Sequence, residues 1–231
     1  MKICVISDIH GSTVWKDIVA KEKENIDRFI FLGDYVDDKR KLVSPEEQLQ
    51  NLQSIQDFKK KYIHVDLLIG NHDLQYIGGA RCNRFDSYLF DLVQSEFMAM
   101  VQKEILQVCV CYDNYLFSHA GISYIWMKEK GMEDCADINK QFHTNPLVLD
   151  FVNKISSDAS GDNVYQSPLW IRPDSLGNSA LSGYHHVVGH TRIKDISIIE
   201  VVNRKLIFTD TQLRQYLIIN TCTESEDIIE S

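Results

Sequence analysis

The sequence has no apolar run long enough to cross a membrane. Nothing in its 231 residues approaches the roughly 20 consecutive apolar residues that a span needs. The apolar start, Ile3–Ile6, runs straight into Ser7-Asp8 and is too short for the apolar part of a secretory leader. Long basic runs are also missing. Lys and Arg number 24 against 33 Asp and Glu, a formal net charge of -9. Non-specific binding to DNA or RNA needs Lys and Arg to neutralise phosphates, so no nucleic-acid partner is expected. The six cysteines (Cys4, Cys82, Cys109, Cys111, Cys135 and Cys222) contain no CxxC pair. They read as free thiols in a reducing compartment, with Cys109 and Cys111 as small apolar fillers on one side of a strand. Together these absences predict a cytoplasmic protein without membrane or nucleic-acid partners. Internal repeats and low-complexity stretches are lacking too.

What is present is ordinary globular composition, 44% hydrophobic and 25% charged, enough chain to bury a substantial core. Apolar runs with strand character recur at Ile3–Ile6, Phe29–Leu32, Ile63–Ile69, Ile105–Cys111, Tyr115–Phe117, His186–Val188, Ile196–Val202, Lys205–Phe208 and Gln215–Ile219. Helical pattern separates the first three, over Thr13–Glu24 and Pro45–Lys60. The second of these starts with Ser44 as N-cap, Pro45 at the first helical position and Glu47 three residues after the cap. Strand–helix–strand alternation implies parallel pairing with right-handed crossovers. Later the pattern changes: Asp113-Asn114 and Asn203-Arg204 suggest hairpins, and helical pattern fills much of Ser123–Lys154. The sum predicts a mixed α/β fold. Two packed sheets would form a sandwich with helices outside, in a single domain over residues 1–231. Ser156–Asn163 reads as a loop that could cover a site, and the acidic tail, about 224–231, as frayed.

Five short motifs fall at or just after strand ends: Ser7-Asp8-Ile9-His10-Gly11, Gly33-Asp34-Tyr35-Val36-Asp37, Gly70-Asn71-His72-Asp73, Ser118-His119-Ala120-Gly121 and Gly189-His190-Thr191. Ligand sites in α/β sheets form beyond the carboxyl ends of strands, so residues far apart in sequence can meet there. Each motif brings Asp, Asn or His, and each has a glycine where the chain must turn sharply or approach an ion closely. Taken singly each is a common turn. All five in this order are not. Mixed oxygen and nitrogen donors suit divalent Mn, Fe, Zn or Ni better than Ca or Mg alone.

The set resembles the calcineurin-like metallophosphoesterases, and within them the phosphoprotein phosphatase branch together with the bacterial diadenosine tetraphosphatases. The resemblance spans roughly Met1 to Thr191. It implies a four-layer α/β/β/α sandwich and two divalent metal ions, manganese foremost. By this resemblance Asp8, His10 and Asp34 hold the first ion. Asp34 also bridges to a second, held by Asn71, His119 and His190. A carboxylate bridge can hold two ions about 3.5–4 Å apart, and a water shared between them loses a proton easily. The expected reaction is direct attack of that hydroxide on phosphorus. His72 would protonate the leaving oxygen, with Asp37 pairing to it. In the related nuclease-like branch the last motif is Gly-His-x-His, and Arg192 stands here in place of the final His.

One departure concerns the phosphate clamp. Where the protein phosphatases have Arg after Gly-Asp-Tyr-Val-Asp, this chain has Asp38, which cannot hold a phosphate. Arg172, in Pro168-Leu169-Trp170-Ile171-Arg172-Pro173, is the leading replacement, since a guanidinium can donate two parallel hydrogen bonds to phosphate oxygens. Arg81 and Arg84 are further candidates, and Asn71 would contact substrate as well as metal. Asp73, Glu in the family, is expected to orient a ligand histidine. His64, His143, His185, His186 and Asp210 read as structural, and Trp15, Trp126 and Trp170 as core or pocket wall. The expected substrate is a phosphorylated protein or a small phosphoester. Alternatives are a symmetrical dinucleoside tetraphosphate and a catalytically silent scaffold. Net acidity and Arg192 disfavour a nuclease.

Overall fold

A computed structural model describes residues 1–38, 40–151 and 161–231. Strand β1 (Lys2–Ile6), helix α1 (Val14–Glu22), β2 (Arg28–Phe31), α2 (Pro45–Lys61) and β3 (Val65–Leu68) open the chain. A short helix α3 (Asn71–Leu74), a 3-10 turn and α4 (Ser87–Gln102) follow. Then come β4 (Leu106–Gln107), β5 (Cys109–Tyr112), β6 (Tyr115–Ser118), α5 (Tyr124–Glu129), α6 (Cys135–Thr144) and α7 (Pro173–Ser179). The chain closes with β7 (His185–Val188), β8 (Ser197–Val201), β9 (Arg204–Phe208), β10 (Gln215–Asn220) and β11 (Ser225–Glu230).

Among the described residues the strands form two sheets, ordered β11-β10-β1-β2-β3-β4 and β5-β6-β7-β9-β8. β1, β2, β3 and β4 pair in parallel, as do β6, β7 and β9. The layers follow from the period-2 alternation of side chains. On β1, Ile3 and Val5 point into an apolar layer shared with Tyr115, Phe117, Val187 and Ile207 of the other sheet. Cys4 and Ile6 point outward, into a cluster with Trp15 and Ile18 of α1 and Leu52 and Ile55 of α2. On the far face of the second sheet, Val188, Leu206 and Phe208 pack against Leu176 of α7. Two sheets face each other with helices outside both, as the sequence predicts.

Helix α2 starts as its sequence dictates. Glu47 N–H donates to Ser44 Oγ at 3.3 Å, and Ser44 N–H donates to Glu47 Oε2 at 2.8 Å, with Pro45 in the first turn. Both expected hairpins form, at 112–115 and 201–204, the second one residue earlier than its sequence signal.

Three expectations are corrected and one helix was not anticipated. The run Ile105–Cys111 is not one strand: β4 belongs to one sheet and β5 to the other, with the chain crossing between layers at Val108. Helix α4 has no counterpart in the sequence reading, although Leu89, Val93, Phe97, Met100 and Val101 line its buried face at helical spacing and Asp86 caps it. The acidic tail is not frayed. β11 pairs along the whole of β10, and Glu226 accepts hydrogen bonds from Tyr115 Oη at 2.6 Å and Lys205 Nζ at 2.8 Å. Of the two cysteines read as apolar fillers, Cys109 is buried but Cys111 is only half-buried and meets Cys135. The loop at Ser156–Asn163 lies largely outside the described residues.

Candidate active site

The five motifs meet where the chain leaves β1, β2, β3, β6 and β7. Their backbones are unusual. Asp8, His10, Asp34, Asp37 and His190 all have positive φ, between 43° and 66°. Non-glycine residues adopt this region rarely, and each instance costs on the order of 1–3 kcal/mol that the surrounding contacts must offset. Here those contacts are visible. His10 N–H donates to the Asp34 carbonyl at 2.7 Å and Gly11 N–H to that of Tyr35 at 2.9 Å, tying the first two loops together. The Asp73 carboxylate accepts the N–H groups of Asp34 (2.8 Å), Tyr35 (2.9 Å) and Gly70 (2.8 Å). Asp73 therefore fastens backbone rather than orienting a ligand histidine, which corrects the sequence expectation. Burial, then the neighbouring Asp34 charge, push its carboxyl upward, and the three N–H donors oppose them. Glycine is needed at two close approaches. A Cβ on Gly70 would lie 2.2 Å from Asp34 Oδ1, and one on Gly189 would lie 2.2 Å from Asp8 Oδ2.

Candidate ligand atoms of Asp8, Asp34 and His119 lie within 4.8 Å of one another, all three residues buried. Asp34 stands in the middle. His10 Nε2 is 3.3 Å from its Oδ2, and His119 Nε2 is 3.6 Å from its Oδ1. Both imidazoles are oriented from behind: His10 Nδ1 is 3.1 Å from the Val36 and Asp37 carbonyls, and His119 Nδ1 is 2.7 Å from that of Leu32. A carbonyl accepts only from N–H, so Nδ1 carries the proton in each ring. Burial lowers the His119 pKa and, followed by Arg172 and His119, lowers that of His190 well below the ordinary range, so both rings stay neutral. Neutral imidazole is the form that binds metal.

These protonation states leave a cluster of lone pairs. His119 Nε2 faces Asn71 Oδ1 at 2.8 Å, acceptor against acceptor. Asn71 is held that way round because its Nδ2 donates to Cys82 Sγ at 3.1 Å. His190 Nδ1 is 3.0 Å from the same Asn71 oxygen, and its buried Nε2 has no hydrogen-bond partner among the described residues. A divalent cation is the partner such a set of nitrogen and oxygen lone pairs fits. The structure thus brings together Asp8, His10, Asp34, Asn71, His119 and His190.

His72 and Asp37 sit beside this cluster. His72 Nδ1 is 2.8 Å from Asp37 Oδ2, and the His72 backbone N–H donates to Asp34 Oδ1 at 2.9 Å. Two residues that the sequence reading missed complete the arrangement, since Gln75 Nε2 and Tyr76 Oη also donate to the Asp37 carboxylate. Their spacing, three and four residues after His72, puts them on the same helical face and was the available signal.

A cavity of about 220 Å³ opens here, lined by Asp34, Asn71, His72, Arg84, Trp170, Arg172 and His190, among others. Arg172 and Arg84 thus reach the same space as the candidate ligands. The Arg172 guanidinium lies over the Trp170 ring at 5.0 Å, and Trp170 packs against both Phe151 and His190. Arg81 is not brought to the cavity: its guanidinium lies over the Phe85 ring at 4.2 Å. Asp38 turns away from any phosphate role and caps its own loop, accepting N–H groups of Arg40, Leu42 and Val43. Burial alone would raise its carboxyl, but these donors and the Arg40 charge hold it below the ordinary value.

The remaining histidines lie outside the cluster of candidate ligands. His64 is exposed beside Arg28, His143 Nε2 meets the Leu106 carbonyl, His185 Nδ1 accepts Lys205 N–H, and His186 is fully buried. Asp210 accepts the Gln212 N–H.

The sequence profile described as calcineurin-like phosphoesterase matches residues 1–209. Among solved structures, a cold-active protein-tyrosine phosphatase from a psychrophilic Shewanella species aligns at TM-score 0.62 and 16% identity, covering 99% of this chain and 80% of that one. A metallophosphoesterase from Sphaerobacter thermophilus aligns at 0.53 and 17% identity, covering 100% and 88%. A protein serine/threonine phosphatase from Saccharomyces cerevisiae aligns at 0.54 and 12%, covering 100% and 80%. At these identities the likeness is one of fold. No curated protein shows a significant sequence match. No helix among the described residues is long and apolar enough to cross a membrane.

Proposed function

The chain belongs to the calcineurin-like phosphoesterases, and from that premise we propose that it is a dinuclear-metal phosphatase. It hydrolyses phosphate monoesters, on a phosphorylated protein or a small phosphoester, in the cytoplasm. The observation that carries this reading is the facing of His119 Nε2, Asn71 Oδ1 and the Asp34 carboxylate around one point, with His10 on the other Asp34 oxygen. Asp8, His10 and Asp34 would hold one ion, and Asp34, Asn71, His119 and His190 the other. Two bound divalent ions, manganese foremost, would supply a water of lowered pKa and neutralise charge on the phosphate oxygens.

The residues of the chain do the rest. Arg172, with Arg84 across the same cavity, binds and orients the phosphoryl group. Asn71 would contact both the metal and the substrate. His72, its Nδ1 fixed by Asp37, has Nε2 left to give a proton to the leaving oxygen. Asp37, itself gripped by Gln75 and Tyr76, keeps that imidazole oriented. The -9 net charge supports the expectation that nucleic acid is not the substrate.

Assay of p-nitrophenyl phosphate, a phosphopeptide and diadenosine tetraphosphate with Mn tests the reading. Turnover of the first two should exceed that of the third. His72→Asn should lower kcat about 10²–10⁴-fold, the usual value of a general acid, while metal content stays at the parent level. Full activity in that variant would remove His72 from the chemistry. Inactivity of the parent protein on all three substrates, with metals bound, would favour a scaffold.

A further inference from the structure

Cys111 on β5 and Cys135 at the start of α6 place their sulfurs 2.9 Å apart. The two cysteines are far from each other in sequence, and the surrounding framework holds them together. Asn139, one helical turn after Cys135, accepts the Val108 N–H at 2.7 Å and donates to the Cys109 carbonyl at 2.8 Å. Its side chain stitches α6 to the backbone leading into β5, so the two sulfurs meet without either element having to move far. A third thiol, Cys109, lies beneath them, its Sγ 3.8 Å from the Cys135 carbonyl. Cys109 is buried, whereas Cys111 and Cys135 are each partly exposed.

We propose that Cys111 and Cys135 form a reversible dithiol–disulfide site that reacts with low-molecular-weight disulfides. The Cys135 thiolate attacks one sulfur of the small disulfide, breaking its S–S bond and releasing one thiolate that takes up a proton. Cys111, losing its proton, then attacks Cys135 Sγ and expels the second small thiol. Two protein thiols and one small disulfide become one protein disulfide and two small thiols. Cys135 is suited to the first step by its place in the first turn of a ten-residue helix, where the peptide dipoles favour a thiolate. The neighbouring thiols of Cys109 and then Cys111 lower its pKa further, against burial and the neighbouring Asp134. The link would close the segment 111–135, which carries β6 and His119, and so would constrain the unfolded chain more than the folded one.

Titration of the purified, metal-loaded protein with oxidised glutathione tests this. The expected product has lost two of its six alkylatable thiols, carries a Cys111–Cys135 peptide crosslink, and unfolds at a higher temperature than the reduced form. Dithiothreitol should reverse all three changes. Cys111→Ser and Cys135→Ser should abolish the crosslink, whereas Cys109→Ser should retain it. A stable glutathione adduct on Cys135 without crosslinking would overturn the proposal, as would a crosslink to Cys82 or Cys222, or six thiols still alkylated after oxidation.

Discussion

At the residue scale, the site is built from side chains whose backbones would relax elsewhere if left alone. Asp8, His10, Asp34, Asp37 and His190 keep positive φ; Asp73 and the crossed backbone bonds fasten the first two loops, and the Asp8 carboxylate accepts the His190 N–H at 3.2 Å. Under the proposed function, phosphate binding would rest on Arg172 more than on any other residue. Arg172 lines the cavity and leans on Trp170, and its guanidinium is the charge that lowers the His190 pKa after burial. Loss of a charge-assisted hydrogen bond costs about 1.5–3 kcal/mol. Arg172→Ala should therefore lower kcat/KM roughly 10- to 150-fold, mainly through KM, in steady-state assays with Mn, while Arg81→Ala should change neither constant.

His186 gives a pH prediction at the same scale. It is fully buried, and burial pulls its pKa down to about 4. The unfolded chain, with an ordinary histidine pKa of about 6.5, therefore binds a proton that the folded state refuses between these values. The contribution is fully present above about pH 6.5 and is lost as pH falls toward 4. The gap is worth about 3 kcal/mol at about 1.4 kcal/mol per pH unit. Denaturant midpoints should fall across this window, and His186→Gln should flatten the decline relative to the parent protein.

At the element scale, local sequence and tertiary context divided the work unevenly. The start of α2 was legible because Ser44, Pro45 and Glu47 act on backbone groups within one turn. Ser44→Ala should cost about 1 kcal/mol of stability by leaving the Glu47 N–H without its acceptor, measured by urea denaturation. The short helix α3 matters more for the candidate site. It carries Asn71 and His72, and the turn after it delivers Gln75 and Tyr76 to Asp37. β11 shows the opposite balance. Its acidic residues read as a frayed end because repulsion within the segment is visible in sequence, while the partners of Glu226, Tyr115 and Lys205, are remote.

At the scale of the whole molecule, two sheets present their loops to one edge, and six ligand candidates from five loops face one another there. Ions that bind only the folded chain stabilise it by RT ln(1 + [L]/Kd), about 2.7 kcal/mol at 100 times Kd. Adding Mn to metal-stripped protein should raise the thermal midpoint by several degrees, and Asp34→Asn should remove most of that rise. An unchanged midpoint in the parent protein, with no ion retained on elemental analysis, would count against a resident metal centre.

How much could be read in advance depended on the range of the interactions involved. The order of the five motifs, the alternation of apolar residues and the helix caps are local properties, so the sequence by itself determined the fold class, the family resemblance and the identity of the candidate ligands. What it left undecided were pairings between distant segments. Only the tertiary structure sent β4 and β5 to different sheets, put Asp73 under the backbone of Asp34, and set Cys111 against Cys135. Each of these depends on where two remote stretches of chain come to rest, which is settled by burial of apolar faces and pairing of backbone groups across the whole molecule rather than by the residues on either side.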